Sequence, residues 1–511
     1  MLRKYKSRNE RGKRCDIIYL KKGGIAMAYR YGNRQQMTLL PKSIEDYVGA
    51  DDPVRVYDAF IDAVDLEKVG IQTDPRKVGN AEYDPRAMLK LFVYGCSYGW
   101  KSSRKLERAT HHNVSFMWLM GGLTPDHKTI SEFRRKNKRA LKELIKQCSR
   151  ICMELDLIDG NVLFVDGTKI RANASRGKNY TKRHCEKELS EIDKRIDELL
   201  EECERIDEEE TEEGSWVKME KGLADNEGYR SRIREVLKRF EEEEEKGKAP
   251  KTINLSDPES ALMRSVQGSH ASYNVQSVVD DKHGLIVHVD AVSDSSDVNQ
   301  FANQITEAET ITGKECEVGS ADAGYADTEE LEEIDRRGTK VVVPSQRQAL
   351  HNREERPFRK DKFVYDKEHD CYLCPEGHKL IYEGKQDEGN KVAYRITDAC
   401  ICKQCKHYGE CTKSRSGRKI VRLLQEEVKE KLERQYEQPE SQVIYARRKT
   451  RVEHPFGHIK RNLGITNFLL RGREGVQAEI SIAATCFNVV RMITLIGGVK
   501  ELIGQFATLH C

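Results

Sequence analysis

The stretch LFVDGTKIRANAS, residues 163–175, decides the fold. Leu163, Phe164 and Val165 are apolar and strand-prone, Asp166 is an acid, and Gly167 and Thr168 favour a turn. This order predicts a buried strand that ends on Asp166, where Gly167 and Thr168 turn the chain. Two bases, Lys169 and Arg171, follow at once. A lone aspartate at a strand end caps a turn more often than it performs chemistry. Its meaning rests on whether partner carboxylates stand elsewhere.

Outward from this strand the pattern is mixed. ASYNVQSVVDD and GLIVHVDAVS read as a hairpin around Lys282-His283-Gly284. A helix near DVNQFANQITEAETIT, a strand at CEVGSAD, a helix at DTEELEEIDRRG and a strand at KVVVPS follow. A meander that passes into strand–helix alternation predicts an α/β fold with a mixed sheet. Upstream, residues 37–158 read as an all-α domain. Ser43 is placed to cap a helix at SIEDYV, Pro85 to start one, and Gly95 and Gly99 to end it. Short helices with tight turns suit a DNA-binding bundle, although most such bundles bind nothing. Trp100 and Trp118 read as core residues of this domain.

Two insertions interrupt the α/β part. Leu189, Ile192, Ile196, Leu199, Cys203 and Ile206 are spaced 3-4-3-4-3, and Tyr229, Ile233, Val236 and Phe240 repeat the spacing. Residues 183–250 are therefore expected to form an antiparallel coiled-coil hairpin. Residues 356–415 hold two C-x-x-C pairs, Cys371/Cys374 and Cys402/Cys405, with Cys400 and Cys411 nearby. This spacing reads as a structural Zn²⁺ site, with iron–sulfur or plain thiols as alternatives.

The net charge of +3 conceals a polarity. Residues 186–245 carry 24 acids and 11 bases, whereas residues 1–36 hold 11 bases against 2 acids and residues 442–473 hold 8 against 1. Basic segments of this kind point to a polyanion such as nucleic acid. The apolar run from Ile480 is broken by Asn488 and Arg491, so it reads as a buried helix, and no membrane association is expected. The N-terminus shows no export signal, and a cytoplasmic, nucleoid-associated protein is expected. Lys22-Gly23-Gly24 is encodable by a ribosome-binding sequence, so Met27 is an alternative start and 1–26 an upstream extension of the basic arm 1–36.

Partner carboxylates are present. Asp322 in EVGSADAGYAD ends a second strand, and Glu453 lies in YARRKTRVEHPFGHIKRNLG. Glu453 and Lys460, seven apart, share a helix face, and Pro455 suits the first turn of a helix starting near Glu453. Three acids from two strands and a helix suit a pair of divalent cations. All-oxygen ligation favours Mg²⁺ or Mn²⁺. Lys460 and Arg448 would then contact phosphates.

NRQQMTLLPKSIEDYV, YDPRAMLKLFVYG, VDGTKIRANAS, NLSDPESALM, YNVQSVVD, SADAGY and RVEHPFGHIKRNLG together resemble the insertion-sequence transposases of the DDE type, from Met27 to about Gly498. The resemblance implies a ribonuclease-H-like core at 159–355 and 416–498, a tail at 499–511, and a metal-binding triad of Asp166, Asp322 and Glu453. It implies DNA contacts by Lys169, Arg171, Tyr445, Arg448, Lys460 and Arg461. The Arg448-to-Glu453 gap is one residue longer than the commonest form. Within the cysteine cluster it favours Cys374, Cys402, Cys405 and Cys411 as a zinc-ribbon-like set, with Cys371 competing. The implied reaction is cleavage at the element's ends to free 3′ hydroxyls, then their transfer into double-stranded target DNA by a homodimer or higher oligomer. A nuclease of the same core that does not join strands is one alternative. A non-catalytic, zinc-containing DNA-binding protein is the other.

Overall fold

The computed structural model describes residues 5–8, 14–17, 43–71, 82–209, 213–247, 250–265, 268–349, 358–386 and 391–509. It divides into two compact units, Met1–Tyr47 and Val48–Cys511. In the first, β1 (Tyr5–Arg8) pairs antiparallel with β2 (Arg14–Ile17), strands too short to show a hydrophobic period in sequence. The helix expected at SIEDYV is only a 3-10 turn, Glu45–Tyr47. Ser43 does act there, but its own backbone N–H donates to the Asp46 carboxylate at 2.8 Å. Met27 lies outside the described residues.

The second unit begins with six helices: α1 (Val54–Ala63), α2 (Pro85–Ser97), α3 (Ser103–His112), α4 (Val114–Leu119), α5 (His127–Lys136) and α6 (Lys138–Glu154). Asp84 caps α2 by accepting from the backbone of Arg86 and Ala87, and Pro85 takes the first helical position. Trp100 and Trp118 pack against the core, Trp100 stacked on Phe116 at 5.4 Å.

β3 (Val162–Arg171) follows, then β4 (Asn179–Tyr180). The acidic hairpin comes next as α7 (Lys182–Glu209) and α8 (Glu213–Glu245), closed at its root by β5 (Ile253–Asn254) pairing with β4. The helices run antiparallel: Arg230 pairs with Asp193 at 2.7 Å, and Lys182 with Glu244 at 2.7 Å. Ile192, Ile196, Ile233, Val236 and Phe240 form its own buried cluster. Cys203 and Ile206, expected to continue the stripe, lie where side chains are outside the described set.

The main sheet adds β6 (Ala261–Ser265), β7 (Gly268–Asp280), β8 (Ile286–Val292), then α9 (Phe301–Thr312), β9 (Val318–Ser320), α10 (Thr328–Arg336) and β10 (Lys340–Val342). Its order is β8-β7-β3-β9-β10, with β8, β7 and β3 antiparallel and β3, β9 and β10 parallel; β6 also pairs with β7. The strand expected to stop at Asp166 does not stop. β3 runs ten residues, because the thirteen-residue β7 offers partners as far as Ser272, opposite Arg171. Only its parallel side ends early, at Phe164 opposite Ser320. Asp166 thus lies just past the edge of β9.

The cysteine-rich segment is an antiparallel meander rather than a short ribbon: β11 (Val364–Asp366), β12 (Cys371–Leu373), β13 (Lys379–Gln386), β14 (Lys391–Ile396) and β15 (Lys419–Leu423), with α11 (Ala399–Gln404) between the last two. It extends past the expected limit at 415 because Ile420 of β15 completes its core with Tyr372, Leu380 and Tyr394.

Four helices close the chain: α12 (Glu426–Glu437), α13 (Pro439–Arg461), α14 (Arg473–Ile496) and α15 (Val499–Thr508). No new helix begins near Glu453. α13 is continuous, with Pro455 inside it and buried, so the lost backbone hydrogen bond is accepted in return for packing. Among the described residues α14 alone is long and apolar enough to cross a membrane, yet it is the central helix of the core, against α2, α6 and β8.

The hairpin's stability rests on its own small cluster. Phe240→Ala should cost about 3–5 kcal/mol there. Hydrogen exchange should quicken across 182–245 while β3 and β7 keep their protection.

Candidate active site

Asp166 stands on β3 opposite Ser277, three-quarters buried or more, its side chain 21% exposed. The alternation of a strand puts Asp166 and Thr168 on one face and Lys169 and Arg171 on the other. The bases that follow Asp166 in sequence therefore do not face it. Its cation comes from α13: the Arg448 guanidinium lies 3.6 Å from the Asp166 carboxylate. Tyr445, one turn earlier, lays its ring 5.4 Å from that guanidinium. Lys460 of the same helix donates to the Thr168 hydroxyl.

Asp322 follows β9 by two residues and caps the 3-10 turn Ala323–Tyr325, accepting from the Gly324 backbone at 2.8 Å. Burial raises the Asp166 carboxyl to about 6; Arg448 pulls against this, while Asp322 and Asp297 push the same way. The Tyr325 hydroxyl is held far above its ordinary range by burial and then by Asp297, Asp166 and Asp322. Lys460 is lowered by burial, with Asp166 opposing.

Asp297, Asn274, Gln276 and Tyr325 were not singled out by the sequence. Asn274 and Gln276 left one trace, two amides on alternate positions of a strand. Asn274 and Gln276 donate to one oxygen of Asp297 at 2.8 and 2.9 Å, and Tyr325 donates to Gln276 at 2.5 Å.

Glu453 is exposed, and among the described residues it forms no hydrogen bond or ion pair with Asp166 or Asp322. Arg461 is exposed too. Among the described residues no three acids, histidines or cysteines stand ready-made around a metal. The donor set at Asp166 nevertheless suits a hard divalent cation. It is all oxygen, its charges crowd, and its one guanidinium leaves Nε and Nη1 buried without hydrogen-bond partners.

The cysteines separate. Cys374, Cys402, Cys405 and Cys411 line one small cavity together with His378 and His407. The Cys411 thiol is raised by burial and by Cys402, Cys374 and Cys405 beside it, with Arg418 opposing. Cys371 does not line it: it is 2% exposed and alternates with Tyr372, which faces the module core. Cys400 is exposed. Thiols around one cavity have the donor chemistry of zinc, although among the described residues they do not stand ready-made around a metal.

Because the Asp166 acid is raised in the fold, ionising it costs stability: nothing below about pH 4, and the full amount above about pH 6. In metal-free buffer Asp166→Asn should gain on the wild type by about 3 kcal/mol as pH rises through that window. Denaturant titrations at pH 4 and pH 7.5 measure the gain, and an equal gap at both values contradicts it.

Two family models match the chain: a transposase DDE domain over residues 373–493 and a transposase domain, DUF772, over residues 42–136. Asp166 and Asp322 lie outside both ranges, and Glu453 lies in the first. No curated protein matches. Among solved structures the chain is similar to a piggyBac transposase synaptic complex with hairpin DNA, at 8% identity over 90% of this chain and 80% of that one, with a TM-score of 0.32. A likeness that weak carries no argument. The two matched domains, one on the N-terminal helices and one on the segment that carries Arg448, Glu453 and Lys460, support an insertion-sequence transposase of the DDE type.

Proposed function

We propose that this transposase cuts DNA at the ends of its element and transfers the freed 3′ hydroxyls into target DNA, using Asp166, Asp322 and Glu453 to hold Mg²⁺ or Mn²⁺. The observation that carries the reading is the meeting of Asp166 and Asp322 from two adjacent parallel strands, with Arg448 of α13 reaching in. The sheet order is compatible with the ribonuclease-H-like core that the resemblance implies. Glu453 enters through its helix: it shares a face with Lys460, whose ammonium reaches Thr168, two residues from Asp166. Divalent ions, when bound, activate a water or hydroxyl and stabilise the leaving oxygen of the phosphodiester.

The chain's own groups do the rest. Arg448 holds Nη1 in the ion pair with Asp166 and keeps Nε without a hydrogen-bond partner, a donor suited to a phosphate oxygen, with the Tyr445 ring beside its plane. Lys460, held on Thr168, adds a second cation on the same face. Lys169 and Arg171, on the opposite face of β3, belong to a different stretch of DNA or to none. Pairing of two DNA ends calls for at least two copies of the chain.

The test is Mg²⁺-dependent cleavage and strand transfer on DNA bearing the element's ends. Asp166→Asn, Asp322→Asn and Glu453→Gln should each lower both steps by at least on the order of a hundredfold while end binding persists. Cutting without joining would make the protein a nuclease, and binding without cutting a DNA-binding protein. A mutant that still cuts removes that residue from the triad.

We further propose that Cys374, Cys402, Cys405 and Cys411 hold one structural Zn²⁺. Metal analysis of the purified protein should find about one zinc per chain, lost in Cys402→Ser/Cys405→Ser and kept in Cys371→Ser. Zinc loss in Cys371→Ser would reverse the assignment.

A further inference from the structure

A polar chain packs over Gly167, on the face of β3 opposite the Asp166 side chain, and its layout gives it a task. Gly167, next to Asp166, has no Cβ. One built there would stand 2.7 Å from Asp297 Oδ1, 2.7 Å from Gln276 Nε2 and 2.9 Å from the Tyr325 hydroxyl. Three polar side chains from three segments thus close over one glycine. Gln276 is fully buried and uses both ends of its amide, accepting from Tyr325 and donating to Asp297. Asp297 Oδ1 takes a second donor from Asn274. Tyr325 is the last residue of the turn that Asp322 caps. A Cβ on Gly324 of that turn would meet Asp322 Oδ1 at 2.8 Å and Asp297 Oδ2 at 3.6 Å, so the same aspartate also borders the turn directly.

We propose that Asp297 is a positioning residue. Through Gln276 it holds Tyr325, and with it the Asp322 turn, against β3 beside Asp166. This rests on the reading of Asp166 and Asp322 as metal-holding residues. β9 pairs with β3 only as far as Ser320, and Gln346 also donates to the Ala323 carbonyl of the turn. Asp322 itself lies beyond that ladder. A carboxylate whose place relative to another must hold to about 1 Å needs such a tie, because a displacement of that size costs on the order of a hundredfold in rate.

The claim concerns the acceptor oxygen of Asp297 and not its charge, and this makes it testable. Asp297→Asn still offers a carbonyl oxygen to Asn274 and Gln276; Asp297→Ala offers none; Tyr325→Phe removes only the hydroxyl that begins the chain. We would measure cleavage of end DNA, Mn²⁺ binding by EPR on the protein–DNA complex, and hydrogen exchange at residues 318–327.

Asp297→Ala and Tyr325→Phe should each lose on the order of tenfold or more in cleavage, bind Mn²⁺ more weakly and exchange faster at 318–327. Asp297→Asn should stay within a few-fold of the wild type by all three measures. If Asp297→Asn is as impaired as Asp297→Ala, the charge matters and the positioning role is wrong. If Tyr325→Phe behaves as wild type, the chain does not position the turn. Should Asp297→Ala fail to fold, these two milder variants decide. Loss of activity in Asp166→Asn together with unimpaired Tyr325→Phe and Asp297→Ala would overturn this inference alone. An active Asp166→Asn would overturn the functional reading, and this inference with it.

Discussion

The outer edge of β8 is closed by side chains, above all two amides of α14, and much of the unit depends on that closure. An edge strand buried against a helix leaves backbone donors and acceptors without partners, each at a cost of about 1–3 kcal/mol. Asn488 of α14 accepts from the Ile286 backbone at 2.9 Å and donates back to it at 2.8 Å. Two helical turns or more earlier, Gln477 does the same for Ala291 and Val289, at 2.7 and 2.8 Å. Ser149 of α6 adds a donor to Val287 at 2.9 Å. These contacts fix α14 along β8 in one register. Because α14 also packs against α2 and α6, the N-terminal helices and the sheet share one core and are not beads on a linker.

The same helix locates the basic arm of the site. Glu479 of α14 accepts from the backbone of Leu469 and Leu470 and pairs with Lys101 at 2.9 Å. The segment between α13 and α14 is stitched to the far end of β3: Phe468 donates to Arg171 at 2.9 Å, and Asn173 to Leu469 at 2.6 Å. α13 ends at this staple and so must lie along the Asp166 face of β3. Arg448 and Lys460 reach Asp166 and Thr168 because both ends of their helix are held by the core.

Much of this was legible. Hydrophobic periods located the hairpin helices, the order of strands and helices, and the buried run from Ile480. Asn488 lies in a helix that is buried as expected, and its task, closing a strand edge, shows only in three dimensions. The motifs singled out Asp166 and Asp322, which the fold brings together, and four cysteines that share a cavity. What was not legible depended on pairing. Gly167 and Thr168 read as a turn because local preference favours one. β7, more than a hundred residues on, supplies a ladder that overrides it. Pro455 read as a helix start for the same reason, and tertiary packing carries the helix through it. Asp297, among serines and aspartates in a loop, gave no period and no motif. Its importance is entirely one of contact.

Lys169 and Arg171 show where adjacency in sequence misleads. Beside Asp166 in the chain, they invite the idea that the strand supplies both the acid and its bases. Successive side chains on a strand point to opposite faces, so Lys169 and Arg171 cannot share the side of Asp166 while β3 stays paired through Arg171. The positive charge had to come from another element, and α13 brings it from almost three hundred residues away. The consequence is chemical as well as topological. A cation fixed on a helix approaches the carboxylates from outside the sheet. One on the strand itself would sit behind them. Although Arg448 opposes it, burial and the two like charges near Asp166 keep the acid raised.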